Sequence, residues 1–190
     1  MSTLAKSNVT AKTPSNVMLG AGIVVANLKY ESGWTYDNIF GATNGGSTFK
    51  IEPELVDIEA DGVTVGVAQL KQKVAEKATL ETNLAEVTKD NLALLSIGKA
   101  GAGNSEFDEI VSSPSIPEGA FVENLGFIGY TATGDPIVIQ MDKALCTSGL
   151  ELGGENKKQA TAKATFECLQ DINAGDLTIL PWHIYTKKAN

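Results

Sequence analysis

The sequence predicts a mainly β protein, an antiparallel β-sandwich or barrel with one short α-helix. Apolar and polar residues alternate with a period of two along most of the chain, which is typical of half-buried strands. Turn residues separate the alternating stretches, and only one segment, 88–97, has the start and stop signals of a helix. A length of 190 residues with 43% hydrophobic residues is sufficient for one domain with a buried core.

The clearest strand pair covers residues 121–130 and 137–145. Loop 131–135 joins them and contains Gly134, which readily takes the positive φ of a hairpin turn. Pro136 falls at the first position of the second strand, where a missing N–H donor is tolerated. The side chains expected on one face of each strand are Phe121, Leu125 and Phe127 in the first, and Ile137, Ile139, Met141 and Leu145 in the second.

Further strands are predicted at 77–84, 161–168 and 180–184. The side chains expected to face inward are Ala78, Leu80, Thr82, Leu84, Ala162, Ala164, Phe166, Cys168, Leu180, Trp182 and Ile184. In 49–60 the apolar residues change parity, because Phe49 and Ile51 alternate in one phase and Val56, Ile58 and Ala60 in the other. The change predicts a bulge or bend at Pro53-Glu54.

The helix is predicted to begin at Thr88 as N-cap, with Asp90 in the first turn beside the positive end of the helix dipole. Leu92 and Leu95 are expected to face inward, and Gly98 to end the helix.

Segments 29–46, 98–105 and 148–159 are predicted to be loops, and 1–16 and 187–190 flexible arms on a domain spanning 17–186. Loop 29–46 is long for a connection between strands. It carries aromatic and aliphatic residues, which a partner surface would bury. The candidate contact residues are Tyr30, Trp34, Tyr36, Ile39 and Phe40.

The charge pattern argues against tight nucleic-acid binding. The net charge is −8, and all 15 basic residues are lysine. Arginine supplies the planar fork that grips phosphates, and binding to nucleic acid is driven by cationic neutralisation of phosphates. An acidic surface along which DNA passes without adhering remains compatible with this composition.

The chain shows neither a secretory signal nor an apolar stretch long enough to cross a bilayer, so we expect no membrane association. Without an export signal, Cys146 and Cys168 are expected to be free thiols.

Two glycine-rich stretches superficially match nucleotide-binding motifs. Gly20-Ala21-Gly22 lacks the third glycine of a dinucleotide fingerprint, since Val25 stands in its place. Segment 41–46 lacks the lysine and hydroxyl residue of a phosphate loop. A strand glycine pair and a tight turn explain these two stretches better.

Segment 57–62 resembles the opening of a calcium loop, but the twelfth position is Ala68 where a bidentate glutamate is needed. Asp57, Glu59 and Asp61 are instead expected to project from one face of a strand that ends in an Asp-Gly turn.

His183 is the only histidine, and its parity opposite to Trp182 predicts that it points to solvent or to an interface. A thiol dyad of Cys146 and His183 remains an alternative, but neither residue lies in a recognisable nucleophile motif. The sequence therefore predicts no enzyme activity and no catalytic, cofactor or metal-binding residues.

Several segments in order resemble tail tube proteins of long, non-contractile-tailed bacteriophages. They are Gly-Ala-Thr-Asn-Gly-Gly at 41–46; Phe49, Ile51, Pro53-Glu54, Ile58-Glu59 and Asp61-Gly62; the strand 78–84; Glu-Val-Thr-Lys-Asp-Asn-Leu at 86–92 with its helix and Gly98; and the closing Pro-Trp-His-Ile-Tyr at 181–185. Together they cover about two-thirds of the chain. The region from Gly98 to Gln159 carries less of the resemblance.

The resemblance implies a tail-tube-like, ring-forming β-sandwich, assembled in the host cytoplasm into the virion tail. Hexameric rings would stack into a tube around a tape-measure protein, meet tail-tip and tail-terminator proteins, and conduct DNA without specific binding. Loop 29–46 would reach the adjacent ring.

The lumen of such a tube would carry acidic residues that repel phosphates. The candidate acidic lumen residues are Asp57, Glu59, Asp61, Glu76 and Glu81; a simple solvated surface explains each of them equally well. Two alternative functions remain open: the inner tube of a contractile tail or bacteriocin-like particle, and a monomeric module that binds a capsid or another surface.

Overall fold

The computed structural model describes residues 9–10, 12–154, 156–157 and 159–188. The remainder of the predicted arms, 1–8, 11 and 189–190, lies outside the described residues. The strands are β1 Met18–Tyr30, β2 Trp34–Asp37, β3 Thr43–Asp57, β4 Lys71–Leu84, β5 Lys99–Ala100, β6 Ile110–Val111, β7 Phe121–Thr131, β8 Pro136–Cys146, β9 Ala162–Cys168 and β10 Trp182–Thr186. The helices are α1 Thr13–Asn16 and α2 Lys89–Ser96, with 3-10 turns at Ala68–Leu70 and Glu118–Ala120.

Eight of the strands form one antiparallel sheet in the order β2-β1-β7-β8-β9-β4-β3, with β10 added beside β8. One edge of β8 pairs with β7 along the strand. Its other edge pairs first with β10, over 137–141, and then with β9, over 144–146. The sheet curves enough for β1 and β3, at different ends of this path, to contact each other. The predicted fold class, mainly β and antiparallel, is confirmed.

The main core lies inside this curved sheet. It joins side chains from β1, β4, β7, β8, β9 and α2, so that both halves of the sheet share one apolar interior. Phe40 and Phe166 meet edge to face at its centre, with ring centroids 5.4 Å apart. The predicted alternation in β9 is confirmed, since all four inward residues, from Ala162 to Cys168, are buried.

The predicted hairpin of β7 and β8 is confirmed, with Gly134 at φ 86° and Pro136 at the first position of β8. The predicted irregularity in β3 is also confirmed. The register between β3 and β4 shifts between Glu54 and Leu55. Val74 of β4 is the unpaired residue there, so the bulge lies on the partner strand.

Helix α2 is capped as predicted, because Thr88 Oγ1 accepts the backbone N–H of Asn91 at 3.2 Å. The prediction that Gly98 ends the helix is wrong by one residue. Ile97 takes the left-handed conformation at φ 51°. Gly98 instead allows a close approach, since a Cβ there would lie 2.5 Å from Ile110 Cγ2.

The prediction of a loop over 29–46 is wrong. β1 runs to Tyr30, turns, and returns as β2, with Lys29 paired to Thr35. Aromatic residues and threonine favour strands, and pairing satisfies backbone groups that a loop would leave to water. Loop 98–105 likewise begins with the short strand β5.

The prediction of a single helix is also incomplete, because residues of the predicted N-terminal arm form the one-turn helix α1. Pro14 suits the first turn of a helix, where its missing N–H has no partner to lose. Thr13 Oγ1 accepts the backbone N–H of Thr10 at 2.7 Å.

Asn91 ties α2 to the connection between β2 and β3, and replacing it should be costly. Its buried side chain donates to the carbonyls of Phe40 (3.2 Å) and Glu86 (3.0 Å). Asn91→Ala should lower the free energy of unfolding by about 1–3 kcal/mol, measured by urea denaturation. The exposed control Ser96→Ala on the same helix should change it by less than about 0.5 kcal/mol. Equal effects of the two substitutions would contradict this role.

Candidate self-association surfaces

Three aromatic side chains, two from the β1–β2 hairpin and one from β10, form a row on the outer face of the sheet. Tyr30 and Trp34 are opposite each other across the β1–β2 hairpin, with ring centroids 5.0 Å apart. Trp34 and Tyr185 of β10 lie 5.2 Å apart, and both pairs meet edge to face. His183 continues this aromatic row beside Tyr185 at 6.0 Å.

The aromatic row lies over a small second apolar cluster, which occupies the face of β1, β7 and β8 opposite the main core. Trp34 is half-buried against this cluster, which is formed by Val25, Leu28, Ile128 and Val138. Tyr30, in contrast, is 65% exposed. Anchored aromatic rings with exposed neighbours are typical of protein-binding surfaces, since a partner gains large apolar area there.

The five contact residues predicted from the sequence do not form one surface. Tyr30 and Trp34 are brought together, and Tyr36 follows on the same face of β2 and is exposed. Ile39 is exposed beyond β2. The prediction for Phe40 is wrong, because it is 0% exposed and packs in the main core where the chain crosses from β2 to β3.

Sequence reasoning missed Tyr185 as a member of the aromatic row. The available signal was the alternation in the closing strand, where His183 and Tyr185 share a parity opposite to Trp182. His183 is exposed as predicted, and its Nε2 lies 3.4 Å from Asp142 Oδ2. Cys146, the other member of the alternative dyad, is fully buried in the main core, with its Sγ 3.4 Å from Ser148 Oγ.

Cys146 and Cys168 are both free thiols. Burial is the main cause that raises the pKa of Cys168 to about 12, and the negative charges of Asp142, Glu76 and Glu167 add to it. The Cys168 thiol is therefore protonated at neutral pH and unsuited to nucleophilic chemistry.

A two-stranded ribbon extends from the sheet. β9 pairs with β4 only over 79–84, so residues 71–77 of β4 and 52–57 of β3 have no third strand beside them. Loop 58–70 closes the ribbon at its tip. Isolated two-stranded ribbons are marginally stable in water, and their outer edges present unpaired backbone groups.

The ribbon is rich in exposed aliphatic side chains. Val65 at the tip is 74% exposed. The exposed aliphatic residues of the ribbon are Leu55, Val56, Ile58, Val63, Val65 and Val74. Sequence analysis detected the parity change in β3 but not its consequence, which is that apolar residues appear on both faces of a ribbon without a core. Exposed aliphatic residues concentrated on one short ribbon indicate an interaction surface.

The acidic residues predicted for a lumen do not lie together on one surface. Asp57 ends β3 and forms an ion pair of 2.8 Å with Lys71. The prediction that Glu59 and Asp61 project from the strand is wrong, since β3 has already ended and both lie in loop 58–70. The Asp-Gly turn itself is confirmed, with Gly62 at φ 85°.

Glu76 and Glu81 occupy opposite faces of β4, because they are five residues apart. Glu81 belongs to the outer face, where Lys163 Nζ lies 3.4 Å from its carboxylate. This face of β3, β4 and β9 carries three lysines and four glutamates, so it is close to neutral. Its charged residues along the paired stretch are Lys50, Glu52, Glu54, Lys77, Glu81, Lys163 and Glu167.

Glu76 faces inward and bridges β4 to β10. Its carboxylate is 11% exposed, pairs with Lys73 and accepts the indole N–H of Trp182 at 2.7 Å. The hydrogen bond from Lys73 is the main cause that lowers the pKa of Glu76, followed by the hydrogen bond from Trp182.

A pocket of about 480 Å³ opens beside α2, which we call the α2 pocket. Its lining is mainly apolar and comes from α2, β5, the Glu118–Ala120 turn and Ile39, two residues beyond the end of β2. The lining residues are Ile39, Asp90, Asn91, Ala93, Leu94, Gly98, Lys99, Ala100, Pro117 and Gly119. The exposed Ile39, predicted as a contact residue, therefore lies at this pocket.

Comparison with protein-family models and with curated proteins finds no match to the chain. In the described part of the chain, no helix is long and apolar enough to cross a bilayer.

Replacing the Glu76 carboxylate should change the acid dependence of stability. The folded-state pKa is lowered below its ordinary value of 4.5, so the ionised carboxylate stabilises the fold above that pH. This contribution is lost as the pH falls through the folded-state pKa. Glu76→Gln should therefore have a lower free energy of unfolding than the parent at pH 7. The difference between the two should disappear in strong acid.

Urea denaturation at pH values from 7 to 2.5 measures this gap. Glu81→Gln, on the exposed face of the same strand, serves as the matched control and should follow the parent throughout. If Glu76→Gln lowers the free energy of unfolding by the same amount down to the lowest pH, the ionisation of Glu76 does not contribute to stability.

Proposed function

We propose that the chain is the tail tube subunit of a long, non-contractile bacteriophage tail. Six copies would form a ring, and stacked rings would form a tube around a tape-measure protein, bounded by tail-tip and tail-terminator proteins. The observation that carries the proposal is the β3–β4 ribbon, whose aliphatic side chains and open edges have no partner within the described chain. The order of segments resembling tail tube proteins supports the same conclusion.

The ribbon supports self-assembly for an energetic reason. Burying apolar area contributes roughly 25 cal/mol per Å², so the exposed aliphatic residues of the ribbon represent stabilisation that the single chain does not use. Copies of the same chain are the most common partners of such surfaces, since most soluble oligomers are homo-oligomers. The aromatic row is a second such surface, at a different place on the sheet.

Charge supports a passive role toward DNA. A net charge of −8 without arginine disfavours phosphate binding, and a ring of six copies multiplies the negative charge around a lumen. DNA would then pass along the wall with little attraction. Because the five acidic residues predicted for the lumen do not share a face, the repulsion is assigned to the chain as a whole.

Negative-stain electron microscopy and mass measurement of the purified protein, over a concentration series, test the proposal. Six-fold rings or hollow tubes are expected. Tubes found together with a sheath protein in particles would favour the inner tube of a contractile tail. A monomer that stays monomeric at high concentration, and fails to polymerise on added tail tips, would favour the surface-binding module.

A charge placed on the ribbon should block assembly without unfolding the subunit. Val74 is 56% exposed, so Val74→Glu removes little core packing and should leave the melting temperature nearly unchanged. Burying the new carboxylate in an interface is costly, and we expect at least a tenfold higher concentration for assembly, measured by sedimentation. Gln72→Glu adds the same charge to the same ribbon at a polar position and serves as control. Normal assembly of Val74→Glu would remove the ribbon from the interface.

A further inference from the structure

We propose that the tip of the ribbon, loop 58–70, docks into the α2 pocket of a second copy of this chain. The inference rests on the proposed function, since it assigns the contact by which one ring would stack on the next. It identifies the α2 pocket as the acceptor site for the ribbon.

The positions of the two surfaces require two copies. β4 runs from the ribbon tip at Lys71 to Leu84, and α2 begins shortly after this second end at Lys89. A strand of 14 residues spans roughly 45 Å at about 3.3 Å per residue. The tip and the α2 pocket therefore lie at opposite ends of the same strand and cannot meet within one chain. A contact between them joins two different surfaces head to tail, and such a contact repeats from copy to copy along an axis unless its rotation closes it into a ring.

The apolar parts of the two surfaces match in chemistry. The tip offers Ile58, Val63 and Val65, which are all at least 43% exposed. The pocket lining is mainly apolar and includes the exposed Ile39. Branched aliphatic side chains lose little conformational entropy when they enter such a cavity, and each releases water from two apolar surfaces.

The charges around the two surfaces are complementary. Glu59 and Asp61 flank the aliphatic tip and make no ion pair within the described part of the chain. Lys99, on the pocket wall, likewise makes no ion pair with any described residue. Asp90 is the other charged residue of the lining, so the complementary orientation places Glu59 and Asp61 toward Lys99 and away from Asp90.

Two variants distinguish this contact from other modes of assembly. Val65→Asp disables the tip and Ile39→Asp disables the pocket, and both positions are exposed, so circular dichroism and the melting temperature should match the parent. Each variant alone should fail to stack. Mixed together, the intact pocket of one and the intact tip of the other should form a single interface and stop, visible as pairs of rings by electron microscopy and mass photometry.

A charge exchange tests the orientation. Lys99→Glu should raise the concentration needed for stacking by at least tenfold, and the same chain carrying Glu59→Lys and Asp61→Lys should recover it. Lys89→Glu, on α2 but outside the pocket lining, is the matched control and should stack normally.

The outcomes separate the two proposals. A parent chain that never assembles contradicts the proposed function itself. A parent chain that forms tubes while Val65→Asp and Ile39→Asp also form tubes overturns only the docking of the tip into the α2 pocket. Failure of the mixed variants to form paired rings, with both folded, also overturns it.

Discussion

The change of partner along β8 is the constraint on which the rest of the structure depends. One edge of β8 has to serve two strands, β10 over 137–141 and β9 over 144–146. Backbone bonds mark the transition, with the Asp142 N–H donating to Pro181 O and the Leu169 N–H donating to Lys143 O, both at 2.9 Å. The two strands diverge from that point, and the diverging halves of the sheet enclose the main core.

The divergence leaves a gap between β10 and β4, which the hydrogen bond from Trp182 to Glu76 bridges. The two residues are 106 positions apart in sequence, and a hydrogen bond to a charged group contributes about 1.5–3 kcal/mol. Beyond Glu76, toward the tip, β4 has no strand except β3 beside it. The same branching that encloses the core therefore also produces the ribbon.

The division of β4 separates folding from association. Residues 78–84 lie between β3 and β9 and contribute Ala78, Leu80 and Leu84 to the core. Residues 71–77 contribute no side chain to either core cluster. Interior packing constrains residues 78–84, so substitutions there change the free energy of unfolding. Apart from Glu76, which holds β10 through Trp182, residues 71–77 are not constrained by core packing and can carry side chains that contact another molecule.

How much the sequence predicted depended on whether the alternation was regular. β9 packs one face on the core with an unbroken period of two, so its inward residues were predicted. In β7 and β8 the core face changes parity, from Val122 to Leu125 and from Met141 to Ala144. The prediction that Phe121 and Leu145 share the core face is therefore wrong, whereas the hairpin at Gly134 was visible from its turn residues.

β1 was predicted only at its glycine pair, 20–22, and its full length was missed because its register shifts twice. Asn27 has a positive φ of 52°, and the consecutive residues Val24, Val25 and Ala26 are all buried, which hides the alternation.

The candidate surfaces were predicted only in part, for a different reason. Tyr30 and Trp34 are neighbours across a tight hairpin, so local sequence already placed them together. Phe40 carried no local signal, because its burial depends on contact with Phe166, which is 126 positions away in this numbering. Composition suggested that Tyr30, Trp34 and Phe40 were all available to a partner. Long-range packing leaves Tyr30 exposed and Trp34 half-buried, and it buries Phe40 in the main core.

A tube needs two kinds of contact, one that closes into a ring and one that continues along an axis. A closing contact joins neighbours around the ring, and a continuing contact must join different surfaces at opposite ends of the subunit. The ribbon tip and the α2 pocket lie at opposite ends of β4, so they meet the second requirement. The aromatic row lies on an outer face of the sheet, where β2 and β10 each have an edge without a partner strand. Without arginine in the chain, both contacts of such a tube would rely on apolar and aromatic area, with lysine and carboxylates fixing orientation.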